Sequence, residues 1–504
     1  MSFTVLANIS TQRAASRSVF SKQPKVTTLL YSSIIHRTFT KSAPAFLRTT
    51  ELDGPALSGL QVDRDRLWDT IHSTARWTEP TGVDPSDIKH VGLKRLTLSK
   101  EDKEARDWFV STTEALGCKT HVDQIGNIFA VRPGLANDAP ATFVGSHLDS
   151  QPSGGRFDGI LGVAAGVEML RTLNDNWIET EGPVGVVNWT NEEGAKYPIS
   201  MMGSGVWSGR VGLQNAWDLK SVSSAGPIAT VKEELEMIGY LGSTPASPQG
   251  MPIGAHFELH IEQGPKLEAA HQCIGVVEGV QAYKWFTVTI KGRESHAGTT
   301  DFDHRADALY SASLFIATVR EVAKSVGGLS TVGMLSLTPG SVNTVPGEVK
   351  LSLDIRHPSD AGLAQMLHMI TASSHQIASL TTADGRKSHL TEITFDMRED
   401  FASAEVKFHT DAVNCVEQAA AGVLDGDAEL VKRKVRRMTS GAGHDSVCTN
   451  MHCPTAMIFV PCKDGVSHNP AEWCEQEDCA VGANVLMHAV LRMDRARKGR
   501  GDFD

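Results

Sequence analysis

Histidines and carboxylates that could bind a metal follow the predicted strands of this 504-residue chain. In the segment 146–149, side chains two positions apart on extended backbone face the same way, so His147 could bind a metal while Asp149 orients its imidazole. Asp158 lies in the glycine-rich segment 154–159, where glycines permit the tight backbone that a ligand loop needs. These oxygen and imidazole donors suit zinc, manganese or cobalt better than a thiolate site would.

Two adjacent carboxylates, Glu192 and Glu193, come just after the predicted strand Val184–Trp189. Adjacent carboxylates repel each other, so the pair favours one residue bound to a metal and one used as a base. His260 and His468 are further candidate ligands. Taken singly, a histidine is more often a satisfied structural residue and a Glu-Glu pair a solvated loop. The whole set, in this order along one α/β chain, favours a metal site.

Alternating helices and short apolar strands must position these residues. Strands at 127–131, 141–145 and 184–189 predict an α/β catalytic domain with a mostly parallel sheet. Strands at 285–290, 330–337, 348–355 and 390–395, with helices at 305–323 and 361–380, follow the order βαββαβ of a ferredoxin-like α+β domain. The chain is therefore predicted to divide into a leading segment at 1–50, a catalytic domain formed by 51–281 together with 398–504, and a domain inserted into it at 282–397.

Composition excludes several classes of protein. Hydrophobic residues make up 41% and charged residues 21%, as in ordinary folded proteins. The sequence has no run of eighteen apolar residues, so it predicts no membrane span. With 48 Lys and Arg against 59 Asp and Glu, nucleic-acid binding is not expected. The 8 cysteines are too few for a disulfide scaffold, and we expect buried free thiols rather than a zinc–thiolate site.

The first fifty residues differ from the rest of the chain. They contain seven Lys or Arg, many Ser and Thr, and no Asp or Glu. This composition is typical of a mitochondrial transit peptide, and it predicts a location in the mitochondrial matrix. The alternative is a disordered basic tail on a cytoplasmic protein.

Together, the motifs resemble those of the amidase, hydantoinase and carbamoylase family, within the superfamily of two-metal aminoacylases and carboxypeptidases. The resemblance runs from about residue 66 to residue 492. It rests on the segments 145–150, 154–159, 191–194, 256–264, 295–300, 440–445 and 467–470. His-Ile-Glu-Gln-Gly at 260–264 and Ser-His-Ala-Gly-Thr-Thr at 295–300 are typical of the carbamoylase branch rather than of peptidases.

The resemblance implies two divalent metal ions per subunit, zinc or else manganese, cobalt or nickel. It implies Glu192 as the general base, which takes the proton of the attacking water and passes it to the leaving amine. The implied metal ligands, bridged by Asp158, are His147, Asp158, Glu193, His260 and His468. The implied substrate contacts are His296 at the oxyanion, Asn343, Gln263, the Gly441 backbone, and Arg356 at the substrate carboxylate.

The resemblance also implies a homodimer in which the inserted domain acts as a lid and forms the dimer contact. The residues of the inserted domain then contribute either to the active site of their own subunit or to that of the partner subunit. Period-two alternation in 348–356 places Arg356 on the polar face of its strand, where an exposed arginine without a ligand is the simpler explanation.

The predicted enzyme is a hydrolase of carbon–nitrogen bonds, other than peptide bonds, in linear amides. Its expected substrate is an N-carbamoyl-L-amino acid or N-carbamoyl-β-alanine, split to the amino acid, carbon dioxide and ammonia. The pair Gln151-Pro152 resembles β-ureidopropionases. One alternative is an allantoate or ureidoglycolate amidohydrolase with the same site. A second is a catalytically silent metal-binding dimerisation scaffold, against which the intact Glu192 argues.

Overall fold

A computed structural model describes residues 47–48, 59–79, 92–222, 228–379 and 392–503. Apart from Leu47 and Arg48, the predicted transit peptide at 1–50 lies outside these ranges. The strands are β1 (Leu47–Arg48), β2 (Lys119–Val122), β3 (Ile128–Arg132), β4 (Ala141–His147), β5 (Ile178–Glu179), β6 (Val184–Trp189), β7 (Ile253–Ile261), β8 (Ile274–Val280), β9 (Ala282–Lys291), β10 (Ser295–His296), β11 (Leu329–Thr331), β12 (Leu335–Thr338), β13 (Thr344–Val345), β14 (Glu348–His357), β15 (Thr394–Ser403), β16 (Val406–Lys407), β17 (Val435–Ser440) and β18 (Thr455–Val460).

The α-helices follow the same chain order, and two 3-10 turns, Phe302–His304 and Lys463–Gly465, lie between them. The helices are α1 (Arg64–Thr74), α2 (Lys100–Ala115), α3 (Ile160–Asp175), α4 (Met202–Trp207), α5 (Leu213–Trp217), α6 (Val231–Ile238), α7 (Lys266–Ala269), α8 (Ala308–Val326), α9 (Asp360–Ser379), α10 (Thr410–Val423), α11 (Ala428–Lys434), α12 (Asp445–Thr449) and α13 (Gln476–Gly499).

A large sheet of nine strands forms the centre of the catalytic region. Its order is β16-β8-β18-β7-β4-β6-β3-β2, with β17 beside β8. The four central strands β18, β7, β4 and β6 are parallel, whereas β2, β3 and β16 pair in the antiparallel sense. Every residue of β4, β6 and β18 is buried, as expected for parallel strands that are covered on both faces. The predicted α/β fold is confirmed, with a sheet that is mixed at its edges.

Helices cover both faces of the large sheet. On one face α3, α10 and α13 pack against the central strands, and on the other face α4 and α12 do so. Helix α3 begins directly after the segment 154–159, and nearly all its residues are buried because it lies between the sheet and other helices. The second face is filled by the aromatic side chains of Phe129, Phe143, Trp189 and Trp207.

A small sheet (β9, β11, β12, β14 and β15) follows in the chain. Its strands are antiparallel in the order β11-β14-β9-β15, with β12 also beside β14, and α8 and α9 pack on it. In β14 the predicted alternation holds, because Val349, Leu351, Leu353 and Ile355 are buried while Arg356 is not. Along the chain its elements are β9, α8, β11, β12, β14, α9 and β15, which is the predicted βαββαβ order with one predicted strand divided in two. The boundaries 282–397 of an inserted domain stay a prediction, and β15 itself runs on to Ser403.

One predicted strand of this region is divided. The segment 330–337 forms two strands, β11 and β12, because the Met334 N–H donates to the Ser352 hydroxyl at 3.0 Å instead of to a main-chain carbonyl.

All 8 cysteines are free thiols, and only Cys273 is not buried, which confirms the expected thiol state. Within the described ranges, the helices are too short or too polar to cross a membrane.

Candidate metal centre and active site

The four central strands of the large sheet all end at one edge, and the candidate ligands lie there. His147 ends β4, His260 is the second-last residue of β7, and Glu192 and Glu193 follow β6. His468 follows β18 after a loop. Since parallel strands present their carboxyl ends on the same side, this edge is where an α/β sheet usually binds its ligand.

The predicted metal ligands form two clusters that share Asp158. The first cluster is His147, Asp158 and His260, with the Nε2 atoms of the two histidines 3.6 and 3.0 Å from Asp158 Oδ1. The second cluster is Asp158, Glu193 and His468, where His468 Nε2 lies 3.3 Å from Asp158 Oδ2 and 3.4 Å from Glu193 Oε2. Within each cluster the donor atoms lie within 4.8 Å of one another. All five predicted ligands are therefore brought together.

Both histidines of the first cluster are oriented by main-chain carbonyl groups. The Nδ1 atom of His147 is 2.9 Å from the Asp149 carbonyl oxygen, and that of His260 is 2.8 Å from the Ile261 carbonyl oxygen. The Nε2 atoms are thereby left to face Asp158, which is the arrangement that metal-binding histidines need. The imidazole nitrogens and carboxylate oxygens of the two clusters fit divalent ions such as zinc, manganese or cobalt.

The Asp149 carboxylate binds main-chain groups of the site rather than the His147 ring that the sequence suggests. Its carboxylate oxygen is 3.8 Å from His147 Nδ1, so the carbonyl group rather than the carboxylate orients that ring. The carboxylate instead accepts the main-chain N–H groups of Glu192 and Glu193, each at 3.3 Å. Asp149 therefore fixes the predicted base and one predicted ligand at the same time.

Burial and charge give the carboxylates of the site different proton affinities. Burial raises the pKa of Glu192 well above its ordinary range and the pKa of Glu193 to about 7. Burial acts in the same direction on Asp158, but the charge of His260 and hydrogen bonds from His147, His260 and His468 outweigh it and hold the pKa of Asp158 well below its usual range. The Glu192 Oε2 atom is 3.6 Å from His147 Nε2, so the predicted base stands directly beside the first cluster.

A cleft of about 260 Å³ lies over the two clusters. Gln263 lines it and donates to Asp158 Oδ2 at 2.8 Å. Arg356 reaches it from β14, with its guanidinium 2.7 Å from Asp354 and 5.2 Å from the centre of the Tyr283 ring. The Gly441 carbonyl oxygen accepts a further Arg356 N–H at 2.9 Å. Three of the predicted substrate contacts are therefore at or beside the cleft.

The other two predicted contacts, His296 and Asn343, lie elsewhere. They are on or beside the short antiparallel pair of β10 and β13, where the Ala297 N–H donates to the Asn343 carbonyl oxygen at 2.9 Å. Both side chains are exposed, and neither is among the described residues that line the cleft. This chain alone does not bring them to the metal clusters.

Several residues of the site were missed from the sequence. Glu472 accepts the Asp158 N–H at 3.0 Å, and the ring of His444 lies 4.6 Å from that of His260. Tyr283 and Trp285 form part of the cleft wall. Glu472 and His444 stand in or next to the motifs 467–470 and 440–445, so their proximity to a motif was the available signal. Nothing in the sequence distinguishes Tyr283 and Trp285 from core aromatic residues.

The fold and the site define a hydrolase with a candidate centre for divalent metal ions. The chain belongs to the peptidase family M20/M25/M40, which matches residues 143–492. It is similar to the N-carbamoyl-L-amino-acid amidohydrolase of Rhizobium meliloti, with 37% identity over 436 residues, 86% of this chain and 96% of the relative. The allantoate amidohydrolase of Escherichia coli is 31% identical over 419 residues, 82% of this chain and 95% of the relative.

A solved structure supports the same assignment. An amidase of the hydantoinase/carbamoylase family from Burkholderia multivorans has 40% identity and a TM-score of 0.75, and covers 86% of this chain and 98% of its own. The predicted family is therefore confirmed. So is the predicted class of enzyme, a hydrolase of carbon–nitrogen bonds other than peptide bonds.

The prediction of a mitochondrial transit peptide is wrong. The relatives named N-carbamoyl-L-amino-acid amidohydrolase are bacterial proteins, and bacteria have no mitochondria to which a transit peptide could direct them. That prediction rests on a basic, Ser- and Thr-rich, acid-free composition, and composition alone does not separate a targeting segment from another basic stretch.

Proposed function

We propose that this protein hydrolyses the carbamoyl C–N bond of N-carbamoyl-L-amino acids at a centre of two divalent metal ions. The observation that carries the proposal is Asp158, whose two carboxylate oxygens face two separate histidine-containing clusters beside Glu192. Two bound ions would polarise the carbamoyl carbonyl and acidify an attacking water. The names of the bacterial relatives support this substrate class.

Glu192 performs the proton transfers in this proposal. It takes a proton from the water that attacks the carbamoyl carbon, and it returns the proton to the amino-acid nitrogen as the C–N bond breaks. The amino acid leaves, and the remaining carbamic acid decomposes to carbon dioxide and ammonia. Asp149 supports these steps because it fixes the main chain of Glu192.

Arg356 can bind the substrate carboxylate although it already has partners. Asp354 accepts from its Nε and Nη2 atoms, and the Gly441 carbonyl accepts from Nη1. A guanidinium has five N–H groups, so one on each terminal nitrogen remains. Two such N–H groups, one on each terminal nitrogen, can be donated to the two oxygens of a carboxylate.

The substrate is tested with a matched panel. Ammonia release is measured from N-carbamoyl-L-amino acids, their D-enantiomers, N-carbamoyl-β-alanine, allantoate and ureidoglycolate. We expect the N-carbamoyl-L-amino acids to have the highest kcat/KM. The relative from Escherichia coli favours allantoate as the second candidate. Faster release from allantoate or ureidoglycolate than from any carbamoyl amino acid would contradict the proposal.

The metal is tested separately. Removal of divalent ions with a chelator should abolish ammonia release. Zinc, manganese, cobalt and nickel are then added back one at a time, and the bound ions are counted by elemental analysis. Full activity in the metal-free protein would contradict a metal mechanism, and restoration with one ion per chain would contradict the two-ion centre.

We also propose that the protein is a homodimer whose contact includes the edge of the small sheet at β12. Every residue of β12 is exposed, and apolar side chains cluster there and in the adjoining turns. They are Met334 at 71%, Leu335 at 46%, Leu337 at 36% and Val342 at 106% exposure. An exposed apolar edge strand is a surface that pairs with another chain. In this proposed dimer, His296 and Asn343 of one subunit would contact the substrate in the cleft of the other subunit.

Subunit complementation tests this arrangement. Glu192→Gln and His296→Ala variants, each nearly inactive, are mixed, dissociated and reassociated. If His296 acts in the partner's cleft, half of the dimers gain one intact site and the mixture recovers about a quarter of wild-type activity. If the mixture stays inactive while light scattering shows dimers, His296 does not act across the interface. A monomer by light scattering contradicts the dimer itself.

A further inference from the structure

A buried carboxylate, Glu472, joins the two loops that carry Asp158 and His468. Its Oε1 atom accepts the main-chain N–H groups of Phe157 and Asp158, each at 3.0 Å. Its Oε2 atom accepts the Ser467 hydroxyl at 2.9 Å. Glu472 is only 2% exposed. Buried donors that lose such an acceptor cannot turn to water instead, so these bonds hold the two loops together.

The contact between the loops is tight and continues to the Asp158 carboxylate. A Cβ atom at Gly155 would lie 2.2 Å from Glu472 Oε1, so the carboxylate fits directly against the loop backbone. The Ser467 oxygen lies 3.2 Å from Asp158 Oδ2 and also accepts from Gln263 at 3.3 Å. Glu472 therefore reaches Asp158 through the main chain and through one hydroxyl group.

The two metal clusters depend on this contact to different degrees. In the first cluster, His147 and His260 lie on strands of the large sheet and are 1% exposed. In the second cluster, His468 lies on a loop outside any helix or strand, and its side chain is 50% exposed. Its backbone has a φ of 54°, a conformation that costs a non-glycine residue free energy. Asp158 belongs to both clusters, but its two partner ligands lie on strands in the first cluster and outside any helix or strand in the second. The second cluster therefore depends more strongly on the contact between the loops.

We infer that Glu472 is a positioning residue that holds His468 at Asp158 and thereby sets the affinity of the second cluster for its ion. This inference rests on the proposed two-ion centre. Glu472 acts through the Asp158 main chain and through Ser467, and it is not itself placed among the ligands. Loss of its carboxylate should weaken the second cluster and leave the first, two of whose three ligands lie on strands, nearly unchanged.

The test counts and titrates metal ions on the full-length protein. Metal-free wild type and Glu472→Ala are titrated with Zn²⁺ in competition with a chromogenic chelator, and Co²⁺ absorption spectra report each cluster. We expect two ions on wild type. On Glu472→Ala we expect one ion at wild-type affinity and a second bound about ten- to a hundredfold more weakly, the usual scale for a lost support of a metal ligand.

A conservative variant tests the geometry. In Glu472→Gln the side-chain carbonyl can still accept both main-chain N–H groups, and the amide can donate to the Ser467 oxygen. We expect this variant to bind the second ion with nearly wild-type affinity. Weakening equal to that of Glu472→Ala would overturn the inference, since it would mean that charge rather than position is what Glu472 supplies.

The chain offers a matched control in Asp494. Its carboxylate is 1% exposed and also accepts two consecutive main-chain N–H groups, those of Glu181 and Gly182, each at 2.9 Å. These groups precede β6, at the opposite end of the strand from Glu192 and Glu193. Asp494→Ala should lower the Tm like Glu472→Ala while it keeps both ions at wild-type affinity. Equal loss of the second ion in both variants would overturn the inference.

Two further outcomes are decisive. Two ions at wild-type affinity on Glu472→Ala would show that the carboxylate has no effect on metal binding. Fewer than two ions on wild type would instead contradict the proposed two-ion centre on which the inference rests. If Glu472→Ala does not fold, Ser467→Ala removes one connection and leaves Glu472 in place. It should weaken the second ion severalfold, and unchanged affinity would overturn the inference.

Discussion

The two sheets of this protein contribute to the cleft in different ways. The large sheet provides residues at or just past the ends of parallel strands, and these residues are mostly buried and held by main-chain hydrogen bonds. The small sheet presents the open face of its strands, where the Arg356 side chain is 29% exposed and Trp285 is 43% exposed. The large-sheet side of the cleft is therefore ordered before any ligand binds, whereas the small-sheet side is exposed to solvent.

This difference follows from what each side must hold. A cluster of buried carboxylates and imidazoles is stable only when hydrogen bonds fix every group, because each charge is costly to bury. A surface that recognises a substrate must instead keep donors available. We therefore expect substitutions on the large sheet to act on metal binding and the chemical step, and substitutions on the small sheet to act on substrate binding.

The largest effect should come from Glu192, the proposed base on the large sheet. Glu192→Gln should keep both metal ions and lower kcat by at least about a hundredfold, because the amide cannot carry the proton. Glu193→Gln should instead lose the ion of the second cluster, since Glu193 is one of its predicted ligands. Steady-state kinetics and elemental analysis of both variants provide the measurement. If Glu192→Gln loses an ion and Glu193→Gln does not, the two roles are reversed.

The second-largest effect should come from Arg356 on the small sheet. Arg356→Lys should lower kcat/KM for N-carbamoyl-L-amino acids by about ten- to a hundredfold, because lysine lacks the fork that binds two carboxylate oxygens. The loss should shrink for the corresponding N-carbamoyl amino-acid amide, which has no carboxylate. Metal content should not change.

A second arginine of the same sheet provides the control. Arg398 pairs with Asp400 two residues away at 2.8 Å, as Arg356 pairs with Asp354, but it does not line the cleft. Arg398→Lys should leave the kinetics unchanged. Equal losses on the acid and the amide substrates would show that Arg356 is structural.

The sequence predicts the large-sheet side of the cleft better than the small-sheet side. His147 and Glu192 follow strands whose apolar pattern is visible, and a residue at a strand end in an α/β sheet has only one edge at which to lie. The strand Ile253–Ile261 that carries His260 alternates apolar and polar residues, a pattern typical of a strand with one solvated face. The fold instead buries both faces, including the polar residues His256 and Glu258, and the sequence does not show this.

The sequence does not show which segments that are far apart in the chain contact each other in the fold. Glu472 and Asp158 are hydrogen-bonded although more than three hundred residues separate them, and the motifs give no sign of the pairing. His296 and Asn343 were placed at the cleft by resemblance alone, and the structure of one chain leaves them outside it. The proposed contact between subunits is not encoded in the local pattern of either segment.

A smaller effect should come from a glycine beside the first cluster. Gly159 has a φ of 71°, and a Cβ atom there would lie 2.3 Å from the His147 ring. Gly159→Ala should displace that ring and weaken metal binding by the first cluster about tenfold. Gly117→Ala is the control, because Gly117 has a φ of 85° and open space around it. It should cost stability only, about 1 kcal/mol, from the backbone conformation. If metal titration showed that Gly159→Ala binds both ions with wild-type affinity, this assignment would be contradicted.

The smallest effect should come from Asp354, the partner of Arg356. Asn at this position keeps the shape of the side chain but removes the charge that holds the Nε and Nη2 atoms of the guanidinium. Asp354→Asn should therefore raise KM about three- to tenfold and leave kcat and metal content nearly unchanged, since the fork is less well oriented but still present.

The Tm of Asp354→Asn should stay within the error of measurement, because a partly exposed ion pair contributes about 0–1 kcal/mol to stability. The matched variant Asp400→Asn removes the equivalent charge from the Arg398 pair on the same sheet and should change neither KM nor kcat. A rise in KM with Asp400→Asn as large as with Asp354→Asn would mean that the charge of the whole sheet, and not the orientation of Arg356, governs substrate binding. A fall in kcat with unchanged KM would place Asp354 in the chemical step, and the division between the two sheets would then fail.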